Sequence, residues 1–388
     1  MKKIGILAFG DKYNGGVYQY TLSIIDALKE DKTKKYIIFC NSDNDSFDHY
    51  DLEVRNIDKT ISSFFVKIVR ALQFLLLIQK PLFFKKDELD KFNDIDIFLS
   101  PAISAYPHFY INKPFVFTLH DMQERYYPEF FSRYERFARW LNNRTLARSA
   151  DKIICESNFV KNDIIKFTGA DANKISSIPS PPPKHFLNYK LEGEQFGKVN
   201  EKYDLPEKFI FYPAQCWFHK NHIKLLDAFK IVSKKYNDVY LILTGSQQNN
   251  FNNLIARINE LELEGRVKHL GYIDYEDLPY FYKMSQFLVM PTLFESVSIP
   301  IYEAFTLEVA VCSSNVVALP EQVGGAGLIF DPYNIGDIAE KMMMYLSDVG
   351  LKNEKARLGF ERVNGFNHDA YREKLLEAIG GNYYDENL

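Results

Sequence analysis

Of 388 residues only four are cysteines, Cys40, Cys155, Cys216 and Cys312. They stand far apart, mostly in apolar runs, and no C-x-x-C pair exists. Zinc and dithiol redox motifs are therefore absent, and buried reduced thiols in a cytoplasmic protein are expected. Excess charge is also lacking: 47 Lys and Arg against 51 Asp and Glu leave −4. That balance gives nucleic acid no electrostatic footprint, so no nucleic-acid partner is expected. No segment supplies the roughly 18 apolar residues of a membrane span. The opening MKKIGILAFG is too short an apolar run for a signal peptide and reads as a first strand. The dinucleotide fingerprint G-x-G-x-x-G is missing as well, which argues against NAD or FAD. No cofactor is expected.

What is present describes a globular chain of 46% hydrophobic and 25% charged residues. Its length exceeds one ordinary core, so two domains are expected. Short apolar runs recur at 3–9, 36–40, 96–100, 115–120 and 152–157, and again at 209–214, 239–245, 266–272, 287–292, 309–314 and 327–332. Runs that are apolar throughout suit strands buried on both faces of a parallel sheet. Between them lie helical patterns such as KNHIKLLDAFKIVSKKY, 220–236. Strand–helix alternation, twice over, predicts two doubly wound α/β domains. IPSPPPK, 178–184, carries Pro179 and Pro181 to Pro183 and separates them, because proline lacks the amide proton and restrains its predecessor. The boundaries read as 1–180 and 184–365, with a last helical segment at 366–388.

In open α/β sheets, ligands bind beyond the carboxyl ends of the strands. After the first strand come Gly15 and Gly16, ahead of an amphipathic helix. A glycine pair there admits a ligand to backbone at a helix N-terminus, and it equally suits a plain turn. His120 ends the strand run FVFTLH, and Asp121 follows it. A histidine so placed suits acid, base or hydrogen-bond work, although a lone histidine is more often structural. Lys220 and Asn221 fall near a helix start, where lysine adds a point charge for phosphate oxygens, or simply faces solvent. The stretch FESVSIPIYEAF, 294–305, places Glu295 at a strand end and Glu303 after Pro300, in what reads as the first turn of a helix. There Glu303 can favour the helix dipole, or accept from neighbouring hydroxyls such as those of a ribose.

These residues bring a family into view. The chain resembles the GT-B retaining glycosyltransferases of family 4, the group 1 glycosyltransferases. The resemblance rests on two glutamates separated by seven residues and followed by alanine, here Glu295, Glu303 and Ala304. Other segments fit in order: GGVYQYTLSII near the start, LHD at 119–121, ADKIICESNFVKNDIIKF at 150–167, HKNHIKLLDAF at 219–229, LTGS at 243–246, HLGYI at 269–273 and LPEQVGGAGLIFDP at 319–332. It covers nearly the whole chain. It implies two doubly wound Rossmann-like domains facing a central cleft, the acceptor on domain 1–180, a nucleoside-diphosphate sugar on domain 184–365, and the last helix crossing back to the first domain.

The resemblance also assigns roles. Glu303 would accept from the ribose hydroxyls. Glu295, with the backbone amides of Ser296, Val297, Ser298 and Ile299, would hold hydroxyls of the donor sugar. Lys220 would meet the diphosphate, with Gln215 where relatives often carry arginine. Gly245 with Gly271, Tyr272 and Ile273 would shape the base pocket. His120, followed by Asp121, would sit beside the reacting carbon, and Gly15-Gly16 would close near the phosphates. Two more departures stand out. Ser296-Val297-Ser298 replaces the usual Gly-aromatic-Gly, and serine adopts glycine's conformations only at a cost. Glu308 stands where a small residue usually precedes the sixth strand.

By the same resemblance the reaction is metal-independent and retaining, with the acceptor hydroxyl deprotonated by the departing phosphate. Asp94-Ile95-Asp96 precedes its strand, on the wrong side of the sheet for a metal, and reads as a solvated turn. The acceptor is expected to be a glycan or a lipid-linked molecule in the building of surface polysaccharide or glycolipid. Segment 61–86 holds Lys67, Arg70, Lys80, Lys85 and Lys86 and no acid. As an apolar helix with a basic face it suits an anionic membrane surface, at the inner face of the membrane, and equally a core helix on the sheet. Two other readings remain: a non-catalytic sugar-nucleotide-binding or scaffolding protein, and a GT-B sugar-nucleotide epimerase.

Overall fold

The computed structural model describes residues 1–10, 16–57, 63–80, 82, 86–104, 106–108, 112–187, 189–366 and 368–380. The chain divides into two compact units, Met1–Ser180 together with the segment from Asn367 onward, and Pro181–Phe366.

The first unit runs β1 (Lys3–Leu7), α1 (Gly16–Leu28), β2 (Lys35–Asn41), β3 (Glu53–Ile57), α2 (Phe64–Leu75), α3 (Lys86–Asp90), β4 (Ile97–Ser100), β5 (Phe115–Thr118), α4 (Arg133–Ser149), β6 (Lys152–Cys155), α5 (Asn158–Thr168) and β7 (Ile175–Ser177). Its sheet has the order β3-β2-β1-β4-β5-β6-β7 and every ladder is parallel. Successive strand residues point to opposite faces, and both faces are covered. Ile4 and Ile6 join Ile24, Ile25 and Leu28 of α1 in one apolar cluster, with Leu375 and Ile379 from the end of the chain. Leu7, Phe98 and Phe117 join Leu146 of α4 and Val160 and Ile164 of α5 in another.

The second unit runs α6 (Lys184–Leu187), α7 (Gly193–Tyr203), β8 (Phe209–Pro213), α8 (His222–Lys235), β9 (Tyr240–Thr244), α9 (Phe251–Glu260), β10 (Val267–His269), α10 (Leu278–Met284), β11 (Leu288–Met290), α11 (Ile299–Thr306), β12 (Val311–Ser314), α12 (Leu319–Val323), β13 (Leu328–Phe330), α13 (Ile335–Ser347) and α14 (Val349–Asn364). Its order is β10-β9-β8-β11-β12-β13, again parallel. The last helix, α15 (His368–Gly380), belongs to the first unit.

Two features differ from the sequence reading. Strands β3 (EVRNI) and β7 (ISS) are additional. Both are edge strands, short and polar, so neither carries the apolar run that marks a strand buried on two faces. Segment 61–86 is not one helix: α2 is capped by Ser63 and ends at Leu75, and Leu77 is left-handed at φ 55°. The turn closes through Ile78 N–H to Gln73 O at 2.9 Å and the Gln73 amide to Lys80 O at 3.0 Å. Asp94 lies in an exposed turn before β4, as expected, and is ion-paired there. It accepts from Arg55 at 2.6 Å and Lys3 at 2.7 Å, and these partners, Arg55 first, hold its carboxyl well below the usual range. Asp96 accepts the Lys3 N–H at 2.7 Å. Among the described residues no group of three His, Cys, Asp or Glu is placed to hold a metal, and no helix is long and apolar enough to cross a membrane. All four cysteines are buried.

Candidate active site

In the first unit the chemistry collects where β5 ends. His120 is held at both ring nitrogens: Nδ1 lies 3.0 Å from Glu156 Oε2 and Nε2 lies 2.8 Å from the Pro101 carbonyl. Tyr20 meets the ring edge-on at 4.7 Å. An acceptor facing each nitrogen favours the doubly protonated ring. Burial opposes that charge, but the Glu156 carboxylate and the Pro101 carbonyl outweigh it and raise the pKa. Glu156 is buried and fixed in turn by Ser180 Oγ at 2.8 Å. Asp121 accepts from Arg139 Nη2 at 2.7 Å, and Arg139 Nε also holds Glu124 at 2.8 Å. Gly16 is the first residue of α1; Gly15 lies outside the described residues.

In the second unit the ends of β8, β9, β10 and β11 converge. Gly245 has φ 121°, and a Cβ there would stand 2.7 Å from the Ala214 carbonyl, so the loop after β9 lies against the turn at Ala214–Gln215. The Gly245 N–H donates to Gly271 O at 2.7 Å, which joins the loop after β10; Gly271 is left-handed at φ 71°. Ile273 is buried, and Tyr272 is 77% exposed, so its side chain is free to meet a ligand. Gln215 Oε1 accepts from the Trp217 indole at 2.8 Å.

Lys220 closes a short turn before α8. Its carbonyl accepts from Tyr212 Oη at 2.8 Å, and its ammonium forms an ion pair with Glu295. Asn221 follows with φ 59°, a conformation asparagine tolerates. Its buried amide donates to Pro291 O at 2.9 Å and Pro332 O at 3.0 Å. One side chain thus ties the ends of β11 and β13 to the lysine turn.

The loop after β11 is held from one side by Gln322 of α12. Its amide pairs with both backbone groups of Ser298, accepting at 2.9 Å and donating at 2.7 Å. None of Ser296, Val297, Ser298 and Ile299 is left-handed, so serine in place of glycine carries no backbone strain here. Glu303 is the fifth residue of α11 and lies in its second turn, not its first. The helix begins at Ile299, one residue before Pro300, so Glu303 sits beyond the first turn, where the dipole at the helix start acts. It is buried, accepts from Tyr282 Oη at 2.6 Å, and lies in an aromatic surround with Tyr275. Burial raises its pKa from 4.5 to about 7, and the Tyr282 hydroxyl offsets only part of that.

The structure therefore brings together Lys220 with Glu295, and Gly245 with Gly271 and the backbone at Gln215, while Glu303 has its own enclosure. Sequence reasoning missed Glu156, Arg139, Tyr282 and Gln322. Tyr282 sits at helical spacing among apolar residues and reads as packing. Glu156 reads as the polar end of a strand run. Gln322 gives no signal, because its partner is a backbone peptide 24 residues away.

Comparison with known proteins adds two family matches. "Glycosyl transferases group 1" covers residues 195–359 and "Glycosyltransferase Family 4" covers 14–181. The O-antigen chain mannosyltransferase B of Escherichia coli is 28% identical over 232 residues, 59% of this chain and 60% of that protein. A serotype-specific mannosyltransferase, WbdA, also of Escherichia coli, is 26% identical over 218 residues, 55% of this chain and 27% of that one. The matched stretch thus spans less than two thirds of either relative. HepE of Anabaena, solved in complex with UDP-glucose, superposes with a TM-score of 0.76 at 18% identity, covering 98% of this chain and 100% of that one. The fold is that of the GT-B glycosyltransferases.

Proposed function

The chain belongs to the group 1 glycosyl transferases, and from that premise we propose that it moves a hexose from a nucleoside-diphosphate sugar to a glycan or lipid-linked acceptor, in the synthesis of a surface polysaccharide. The likeness to O-antigen mannosyltransferases supports the polysaccharide role and puts mannose first among donor sugars. The neighbour bound to UDP-glucose supports a nucleotide sugar as donor. The observation that carries the proposal is a buried carboxyl poised near neutrality, Glu303 in α11, in the same unit as the Lys220–Glu295 ion pair of the loops after β8 and β11.

The chemistry follows from those groups. Glu303 is an acceptor in an apolar enclosure; ribose hydroxyls supply the donors that make its ionised form comfortable. Lys220 is the cation for the diphosphate. When phosphate oxygens claim it, Glu295 gives up its partner and takes hydroxyls of the transferred sugar instead. The leaving diphosphate gains charge as the glycosidic bond breaks, and a fixed cation in a water-poor site stabilises that charge. The departing phosphate takes the acceptor proton, so neither glutamate serves as a base, configuration is retained and no metal is required. Both ring nitrogens of His120 are engaged, by Glu156 and the Pro101 carbonyl, so it acts through the charge that these partners favour at the end of β5 and not as a free hydrogen-bond donor. The protein works in the cytoplasm, at an anionic membrane face that α2 meets with its exposed apolar residues.

The test is release of nucleoside diphosphate from a panel of nucleotide sugars, GDP-mannose and UDP-glucose first, with EDTA present. Slow release without acceptor and a product of retained configuration with one support the proposal. No release and no binding of any nucleotide sugar would leave only a scaffold.

A further inference from the structure

We propose that a hollow against α4, in the first unit, binds a hexose ring of the acceptor that carries an anionic substituent; this rests on the transferase reading above for its use, though not for its binding. The hollow has a volume of about 450 Å³, and its walls include Glu124, Arg125, Arg133, Arg136, Phe137 and Trp140. Small-molecule sites typically enclose about 300–1,000 Å³.

Each wall has a chemistry. Phe137 and Trp140, with ring centroids 5.6 Å apart, form an apolar face. Such a face suits the C–H side of a sugar ring, where hydroxyls leave the carbons bare. Arg133 and Arg136 are exposed and have no ion-pair partner among the described residues. Three guanidinium groups face the space against one carboxylate, which favours an anion on the occupant.

The sharpest observation is Glu124. Its side chain is only 2% exposed, and one oxygen is bound by Arg139 Nε at 2.8 Å. The other, Oε1, is buried, has no hydrogen-bond partner, and stands 4.0 Å from Arg125 Nε, too far for one. A buried carboxylate oxygen without a donor is costly, and a sugar hydroxyl is the donor that fits a wall of the hollow. Glu124 is also one guanidinium away from Asp121, the neighbour of His120. The hollow is thereby coupled to the end of β5, where the chemistry of this unit lies.

The chain has two tryptophans, Trp140 in the hollow and Trp217 in the other unit. In a Trp217→Phe protein the emission of Trp140 alone reports occupancy. Mannose 6-phosphate is expected to change that emission saturably, and methyl α-mannoside and inorganic phosphate to bind at least tenfold more weakly. Arg136→Ala, at an exposed position that leaves the fold intact, is expected to weaken mannose 6-phosphate at least tenfold, as is Glu124→Gln. An equal response to inorganic phosphate would reduce the hollow to a patch of surface arginines. No response to either sugar, or unchanged binding in both variants, would overturn the proposal. Nucleoside diphosphate binding by the unaltered chain is measured alongside. Nucleotide binding without a sugar response sinks the hollow alone; a sugar response without any nucleotide binding sinks the transferase reading and leaves the hollow.

Discussion

Ionising Glu303 in place costs about 3 kcal/mol, since its pKa stands near 7 against 4.5 for an ordinary glutamate. The sign follows by linkage. A raised carboxyl binds its proton more tightly when folded, so its contribution to stability is complete below the unfolded value and is lost as pH rises through 7. Urea unfolding between pH 5 and 8 should therefore show a loss of roughly 3 kcal/mol in the native chain that Glu303→Gln lacks. Equal slopes would place the proton elsewhere. The same group sets a binding prediction: nucleoside diphosphate should bind more tightly at pH 8 than at pH 6, and Glu303→Gln should lose that dependence. Lys220 is the cation opposite the leaving group, with Gln215 uncharged and occupied by Trp217. Lys220→Ala should lower the transfer rate on the order of 10²–10³, while the melting temperature stays close to native. Near-normal transfer would show that the phosphates are held elsewhere. Residue identities at this scale were legible because charged groups at strand ends are rare. Their partners were not, since Tyr282 and Gln322 act through contacts that spacing does not encode.

The helices and loops hold two further tests. The end of α11 is a Schellman turn: Val309 N–H reaches Ala304 O at 2.8 Å and Glu308 N–H reaches Phe305 O at 3.0 Å. Its left-handed position, φ 53°, belongs to Glu308, where glycine is usual. The departure from the family's small residue therefore has a structural cost at this turn. Glu308→Gly should raise stability by about 0.5–1 kcal/mol, seen as a higher urea midpoint with transfer unchanged. A lower midpoint would contradict this. On α2, Val66 and Phe74 are buried while Phe65, Ile68, Leu72 and Leu75 are at least 40% exposed. That stripe, with Lys67 exposed beside it, supports a membrane contact. Glutamine at Lys67, Arg70, Lys85 and Lys86 should reduce sedimentation with anionic liposomes, as should added salt. Lys85 lies outside the described residues. Native protein that ignores such liposomes at low salt would end the idea. Strands buried on both faces were readable as apolar runs, and the polar edges β3 and β7 were not, because an edge strand needs only half its surface covered.

At the scale of the whole chain, two runs of strand–helix alternation separated by prolines were enough to predict two doubly wound units. Spacing could not show that the first unit is completed from the far end of the chain, where Tyr371, Leu375 and Ile379 of α15 enter its core; that came from resemblance. The account's central claim is that one sheet holds a nucleotide sugar by its two ends, ribose at Glu303 and sugar at Glu295. Calorimetric titration of nucleoside diphosphates, without sugar, into the native chain and into Glu303→Ala and Glu295→Ala at pH 8 tests it most directly. The account predicts that Glu303→Ala loses most of the affinity while Glu295→Ala keeps it and fails only in transfer. The same loss in both variants, or none in either, would contradict it.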